Sequence, residues 1–519
     1  MSESPAPKPQ SMTGTAALNA VTSLAARVSG MIVGIVLTPF VLHGIGRELY
    51  GISAAAGSVL EYLWLLRGGL GTGMRRYVTV HYHAGEHDLA RRYYAAGFWW
   101  ASLLRLAVVG IGIAIARLLC TFMKVEPSLL TDAVGGLILI FLSAGAMDVG
   151  AIFEVPIYVT GHTSRIAVVR IIGAFLRIGF VVPAFLLLVP SLRVYAGAAL
   201  LAEIASTVMI ALVAARGKVV PAILPRPEFG DRQVRNALFA FSGLGLLSQV
   251  ASILYLATDN LMIGGIYGPA RVTEYSLGTR WAPMIQGFLW AGVSALTPLL
   301  TQMEARGDLL RTRDVVLRAG RVTTAIAVPM CLVPCVLGDV FLARWVGAEY
   351  AHCVQYMMAM LIPLLIGMPL EPTWMAMMAR GQIGRIAVGD VVAAITKPGV
   401  GLLLALPLGL GPLGFALGNS AAILLKNLVL RPLLNRGDSA MPPMRSSLSA
   451  LLPAVAGGAP ALALLHFAKP WYSGSLASVI GAGVVGGALC LAGSTLAAVG
   501  RRDTLALLDS LLARLRRRS

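Results

Sequence analysis

Residues 161–189 read GHTSRIAVVRIIGAFLRIGFVVPAFLLLV, and residues 381–405 read GQIGRIAVGDVVAAITKPGVGLLLA. Each opens on a glycine and passes through Arg-Ile-Ala-Val. Each then continues as an apolar run of about the 20 residues that a helix needs to cross a bilayer. Five of the first eight positions are identical. Sixteen residues past the first glycine stands Arg177, and sixteen past the second stands Lys397. The two stretches therefore describe one element used twice: a glycine turn, then a membrane helix with a cation near its middle. A weaker echo links Ala84 to Leu89 (AGEHDL) with Ala305 to Leu309 (ARGDL).

The rest of the chain has the same character. Of 519 residues, 57% are hydrophobic and 13% are charged, where a soluble domain averages about 25% charged. This is a polytopic all-α membrane protein. The apolar runs divide into about fourteen spans, the first at 18–42, the second at 49–70 and the seventh at 238–266. Loop charge fits that alternation. Loops on one side carry 27 Lys and Arg, and those on the other side carry 7. By the positive-inside rule the richer side is cytoplasmic, which places both termini there. The net charge of +18 is thereby explained by topology and does not call for a nucleic-acid partner.

Six spans, an even number, separate the duplicated elements, so both halves point the same way, as in parallel repeats. The expected organisation is a cytoplasmic tail at 1–17, an N-lobe of spans 1–6 at 18–214 and a cytoplasmic linker at 215–237. A C-lobe of spans 7–12 follows at 238–433, then spans 13 and 14 at 449–499 and a basic tail at 501–519. The two lobes are expected to face each other across a cleft. The first 17 residues contain no apolar run, so span 1 is expected to serve as an uncleaved targeting element. In the tail, Leu508, Leu511, Leu512 and Leu515 share one helical face beside four arginines. That pattern suits a helix lying on an anionic leaflet, or else a plain topological stop.

Eight cations lie inside the apolar runs: Arg27, Arg67, Arg105, Arg170, Arg177, Arg280, Lys397 and Lys426. A charge at the bilayer centre costs roughly 2.5–3.5 kcal/mol on insertion scales, so such residues usually face a watery cavity or a partner. Arg67, Arg170 and Lys426 are near enough to span ends to snorkel. Arg27, Arg105, Arg177, Arg280 and Lys397 are deeper and are the candidate substrate contacts, with an anion as substrate. A structural pair with a buried carboxylate is the other reading of each. Carboxylates for such pairs, or for ion coupling, are Glu61, Asp148, Glu203, Asp259, Glu371 and Asp390. Glu154 sits at a membrane edge beside Pro156.

Other chemistry is thin. The five cysteines lie in or beside apolar spans without ligand spacing and read as packing residues. His81, His83 and His87 share a solvated basic loop, a weak basis for a metal site. No phosphate-binding Gly-rich loop and no catalytic constellation is apparent. The expectation is a transporter without catalytic residues, cofactor or metal, driven by an ion gradient, the membrane potential or the substrate gradient.

Span 1 ends Leu37 to Gly46 (LTPFVLHGIG) and is followed by Tyr50 and Gly51. Span 7 carries Thr258 to Gly264 (TDNLMIG) and then Tyr275. With the Gly381 entry to span 11, these stretches resemble the polysaccharide transporter branch of the multidrug/oligosaccharidyl-lipid/polysaccharide export superfamily, the branch of the O-antigen-type flippases. The resemblance covers most of residues 15–435. It implies that a polyprenyl-pyrophosphate-linked glycan is moved from the inner to the outer leaflet of a bacterial inner membrane by rocking lobes. Cavity cations would hold the pyrophosphate, with Arg27 and Arg280 in spans where lipid II flippases place cavity arginines. Expected partners are the lipid-linked glycan, membrane lipids and a glycan polymerase or glycosyltransferases. The alternatives are a cation-coupled multidrug exporter of the same superfamily and a non-transporting scaffold for a glycan synthase. The topology is open to a direct test. Reporter fusions at Lys124 and at Arg226 should report opposite sides of the membrane, and the same side for both would overturn the span count.

Overall fold

A computed structural model describes residues 9–64, 70–217, 224–243, 246–436 and 442–500. The described residues contain helices and no strand, and they fall into two compact units. Twelve helical stretches among them are long and apolar enough to cross a membrane. The difference from fourteen arises at two places. Spans 1 and 2 are two helices that meet at Gly46 (φ 80, ψ 167) with no loop between them, and they are labelled together as α1 (Pro9–Trp64). Span 7 falls across α7 (Arg232–Gly243) and α8 (Leu246–Tyr267), where part of the chain lies outside the described residues.

The first unit comprises residues up to Ile253 together with Asn260–Thr273. After α1 come α2 (Leu70–His83), α3 (His87–Phe122), α4 (Pro127–Val159), α5 (Thr163–Leu187) and α6 (Leu192–Arg216). The α4–α5 turn is built around Gly161 at φ 74, a conformation that L side chains rarely adopt. The α5 helix has no side-chain cap of its own. Asn19 of α1 supplies one from outside: its Oδ1 accepts from the Ser164 amide at 2.8 Å, and its Nδ2 donates to the Gly161 carbonyl at 2.7 Å. One amide thus fixes the start of α5 and the entry of α1, because it satisfies both sides of a helix end that lacks internal partners. Helix α6 is held likewise by Asp132 of α4, which accepts from the Leu192 and Arg193 amides. Small residues then let α4 and α6 approach, with Gly150 against Thr207, whose hydroxyl donates to the Ala146 carbonyl at 2.8 Å. Close packing of this kind replaces the hydrophobic drive that is missing between helices in lipid.

The segment after α6, still within the first unit, is fastened to α3. Trp99 donates to the carbonyls of Pro225 and Arg226, and Trp100 donates to that of Phe229.

The second unit holds Leu254–Asp259 and the residues from Glu274 onward. From α9 (Pro269–Thr279) it runs through α10 (Trp281–Ser294), α11 (Thr297–Ala305), α12 (Leu309–Trp345) and α13 (Val354–Gly367). Then come α14 (Glu371–Ala379), α15 (Ile383–Ala405), α16 (Pro412–Leu424), a π-helical segment Leu425–Leu430 and α17 (Arg431–Leu434). The remainder is α18 (Met444–Leu448), α19 (Leu451–Phe467), α20 (Lys469–Tyr472) and α21 (Leu476–Val499). The last pair is secured to α12 by Ser494 on the Ala325 carbonyl and by Lys469 on Asp339 at 2.9 Å.

The duplication appears in the backbone. The α14–α15 turn repeats the α4–α5 turn, with Gly381 at φ 69. Gly85 (φ 81) before α3 is matched by Gly307 (φ 67) before α12. The linker 215–237 is described only in part, and Arg67 and the tail 501–519 lie outside the described residues.

Gly51 meets the tightest constraint of the first unit. A Cβ there would run into the backbone carbonyl of Pro269, beside the Thr273 hydroxyl that donates to the Arg47 carbonyl. Overpacking of this kind costs about 1–3 kcal/mol. Gly51→Ala should therefore lower the unfolding temperature in detergent, while Gly57→Ala, which meets open space, should not. Equal melting curves for the two variants would contradict the packing at Gly51.

Candidate functional site

Helix α5 presents Arg170, Gly173 and Arg177 at intervals of three and four residues, so one face carries both guanidiniums across a gap left by a glycine. That face borders a cavity of about 470 Å³ within the first unit. Helix α4 contributes Asp148 and Glu154 to it, α6 contributes Glu203, Ser206 and Thr207, and α1 contributes Trp64. Arg170 is occupied: its guanidinium lies 2.7 Å from Glu154. Arg177 is also exposed on this wall, with Glu203 half-buried in the same cavity. Asp148 is buried at 2% exposure.

A smaller cavity of about 170 Å³ shares Trp64 and Ala151 with the first and holds Arg75 and Arg105. Arg105 is 8% exposed, deep in α3. The first unit therefore groups Arg105 and Arg177, two of the cations expected at the substrate path, around adjoining polar cavities. Together with Arg75 they form a cationic lining able to engage phosphate oxygens through several N–H donors.

The second unit arranges its charges differently. The Lys397 ammonium lies 3.0 Å from Asp259 Oδ2, and both side chains are 4% exposed. It also donates to the Tyr255 carbonyl and sits 4.7 Å from the centre of that residue's ring. The Tyr275 hydroxyl donates to the same Asp259 oxygen, and the Tyr255 hydroxyl donates to Asn419 Oδ1 at 2.5 Å. Of the two sequence readings of Lys397, this geometry supplies the ion pair. A second cluster centres on the π-segment. Lys426 pairs with Asp390 at 2.6 Å and lies 5.0 Å from the Trp374 ring centre, while the Trp374 indole donates to Asn427. Glu371 accepts from Trp290 at 3.1 Å. A π-bulge frequently marks a functional position in a helix, and here it carries Lys426 and Asn427.

The remaining candidates are dispersed. Arg27 is exposed on α1, and Glu61 is half-buried near the end of that helix. Arg280 is half-buried, its guanidinium 5.7 Å from the Trp345 ring centre, a cation–π distance. The histidines considered for metal lie on helices rather than in a loop, His81 and His83 on α2 and His87 on α3, and His81 pairs with Glu86 at 2.6 Å and stacks on Tyr93.

Several residues of these clusters carry no sign in the sequence. Tyr255, Asn419, Asn427 and Trp374 are uncharged and sit in apolar runs. Tyr275 and Asp259 belonged to one short motif, and their hydrogen bond gives that motif a physical basis.

A family profile described as "Polysaccharide biosynthesis protein" matches residues 86–355. An uncharacterized membrane protein, EpsK of Bacillus subtilis (strain 168), is 23% identical over 435 residues, covering 80% of this chain and 82% of that protein. Among solved structures, an inward-facing multidrug resistance MATE family transporter of the MOP superfamily aligns with TM-score 0.67 and 14% identity, over 81% of this chain and 100% of that one. The lipid II flippase MurJ in an inward closed conformation aligns with TM-score 0.64 and 12% identity, over 91% of this chain and 97% of that one. These structural likenesses establish the fold.

The Lys397–Asp259 pair has a stability signature. Removing one member of a buried pair strands the other charge and costs about 3–5 kcal/mol, whereas an uncharged replacement of both can be neutral. Lys397→Met and Asp259→Asn should each reduce folded yield and melting temperature, and the double variant should recover most of the loss. Additive losses in the double variant would argue against a coupled pair.

Proposed function

The chain belongs to the polysaccharide biosynthesis protein family, and from that membership we propose that it is a transporter that flips a polyprenyl-pyrophosphate-linked glycan precursor across a bacterial inner membrane by alternating access. The observation that carries the reading is the cavity on α4, α5 and α6, with Arg177 exposed on its wall. A guanidinium in a confined, poorly hydrated site attracts a pyrophosphate more strongly than one in bulk water, because the local dielectric is low. Its planar fork also matches paired phosphate oxygens.

In this reading Arg105 and Arg75 extend the cationic lining toward α2 and α3, and Ser206 and Thr207 offer hydroxyls to the pyrophosphate or the first sugar. Glu203 and Asp148 keep the cavity from holding its anion too tightly, since a carrier must also release its cargo. The chain itself performs no covalent chemistry. The charge bias of the loops supports cytoplasmic termini, and the reading has the substrate loaded from the cytoplasmic leaflet. A glycan polymerase and glycosyltransferases are the natural neighbours of such a carrier.

The MATE fold likeness keeps a drug exporter in view, and the cavity chemistry separates the two. Arg177→Ala removes charge-assisted hydrogen bonds worth about 1.5–3 kcal/mol each. It should abolish glycan display and cause the lipid-linked intermediate to accumulate on the cytoplasmic face, at normal protein levels. Arg177→Lys keeps the charge without the fork and should recover display in part. An exporter of cationic drugs should respond in the opposite sense, with dye efflux unchanged or improved in Arg177→Ala. Normal glycan display in that strain would remove the basis for this assignment.

A further inference from the structure

The chain passes from its last described helix, α21, into residues 501–519, and the point where it does so lies on the wall of a trough. The trough has a volume of about 620 Å³ and runs between α10 and α12 of the second unit. Phe288, Gly292 and Leu296 line it from α10, and Val315, Val322 and Ile326 line it from α12. The α12 stripe is roughly 16 Å long at a helical rise of about 1.5 Å per residue. Phe288 is 49% exposed, and nothing lies within 4 Å of where a Cβ on Gly292 would be, so the trough has room for further apolar side chains. Val499, the last residue of α21, belongs to its wall, and Gly500 follows at φ 90 as the chain leaves the helix.

Residues 501–519 lie outside the described residues and read RRDTLALLDSLLARLRRRS. On a helical period Leu505, Leu508, Leu512 and Leu515 share one face, a stripe of about 15 Å. Its length matches that of the trough, and a ridge of this spacing suits the groove between two helices. Residues 501–504 extend by at most roughly 14 Å, so the stripe begins close to the wall that holds Val499. Asp509 borders the stripe one turn after Leu505, while Arg514 falls off this face and Arg516, Arg517 and Arg518 follow its last leucine. On the trough side, Arg318 and Arg321 flank the α12 stripe. Arg318 pairs with Asp314 at 3.0 Å, and Arg321 is exposed and opposite in charge to Asp509.

We propose that residues 501–519 turn back at Gly500 and seat their leucine face in this trough, with Asp509 against Arg321, so that the chain covers its own groove. The contact goes beyond the carrier reading and does not depend on what the carrier moves. An anionic leaflet would also accept the leucines and the arginines, but it repels Asp509. The trough has the advantage of the tether: a segment joined to its wall by a few residues meets it at an effective concentration in the millimolar range. Three features thus agree on one occupant, namely the place where the segment starts, the length of its stripe and the acidic residue at the stripe's edge.

The test places the photocrosslinking residue benzoylphenylalanine at position 288 of the full-length protein, in vesicles of phosphatidylethanolamine and phosphatidylglycerol. After irradiation and trypsin digestion, mass spectrometry should find position 288 joined to the peptide Asp503–Arg514, which trypsin releases by cutting after Arg502 and Arg514. Leu508→Asp with Leu512→Asp should cut this product at least about tenfold, whereas Ser510→Asp, on the opposite face, should leave it unchanged. Asp509→Arg should lower it about tenfold, the scale of one charge-assisted contact, and adding Arg321→Asp should restore it. Adducts with lipid alone would overturn the proposal, as would a full yield from the double leucine variant. In vesicles that mix isotopically heavy and light protein, a crosslink joining heavy to light would also overturn it, because the occupant would then be a second copy. Failure of Arg321→Asp to restore the yield would break the pairing of Asp509 with Arg321 and with it the proposed seating.

Discussion

A charge in hydrocarbon must find water, a counter-charge or a polar cavity, and the helices of both units answer to that demand. In the second unit Lys397 on α15 finds Asp259 on α8, and the surrounding groups are arranged to serve that contact. Tyr275 donates to the carboxylate, and the Tyr255 carbonyl and ring face the ammonium. The backbone follows suit, because Gly418 on α16 lies against the Lys397 carbonyl, where a side chain would not fit. Four helices are thus committed to one ion pair. In the first unit the demand is met by space: α4, α5 and α6 leave a cavity into which Arg177 and Glu203 project. Arg170 is neutralised there by direct contact with Glu154.

That contrast lies at equivalent positions of a repeat. Arg177 and Lys397 stand the same distance beyond Gly161 and Gly381, and both glycines make the same left-handed turn. The two glycine turns share one backbone device, and the chemistry beyond them differs. An arginine suits the open position, since it holds its charge at any attainable pH and offers several donors. A lysine suits the closed one, since a compact ammonium can approach a single carboxylate and a carbonyl together.

The sequence made the fold class legible because composition and span length are local properties. The glycine turns could be read for the same reason: identical short segments make identical short structures. At α1 the two spans were legible, but Arg47 and Glu48 look like a loop between them. The structure instead breaks the helix at Gly46 and resumes it at once. The partner of Lys397 could not be read at all. Tyr255, its carbonyl acceptor, is 142 residues away in the chain, and six mid-span carboxylates offered themselves without any local signal to choose among them. The cavity around Arg177 was half legible. Arg105, Asp148, Arg177 and Glu203 stood out as charges, whereas Trp64, Ser206 and Thr207 are ordinary residues of apolar helices whose role comes only from packing.

The different solutions in the two units bear on how a carrier of this kind can work. A site that binds and releases an anion needs cations that are not already committed, and the first unit keeps Arg177 at a cavity wall. A unit that must move without losing its shape needs its buried charges closed on each other. Breaking the Lys397–Asp259 pair would strand both in a low dielectric. On this argument the ion pair is a fastening within the second unit, and the proposed contact to a pyrophosphate falls to the first. Lys397 is then a structural element at the position where the first half keeps the proposed binding group, Arg177.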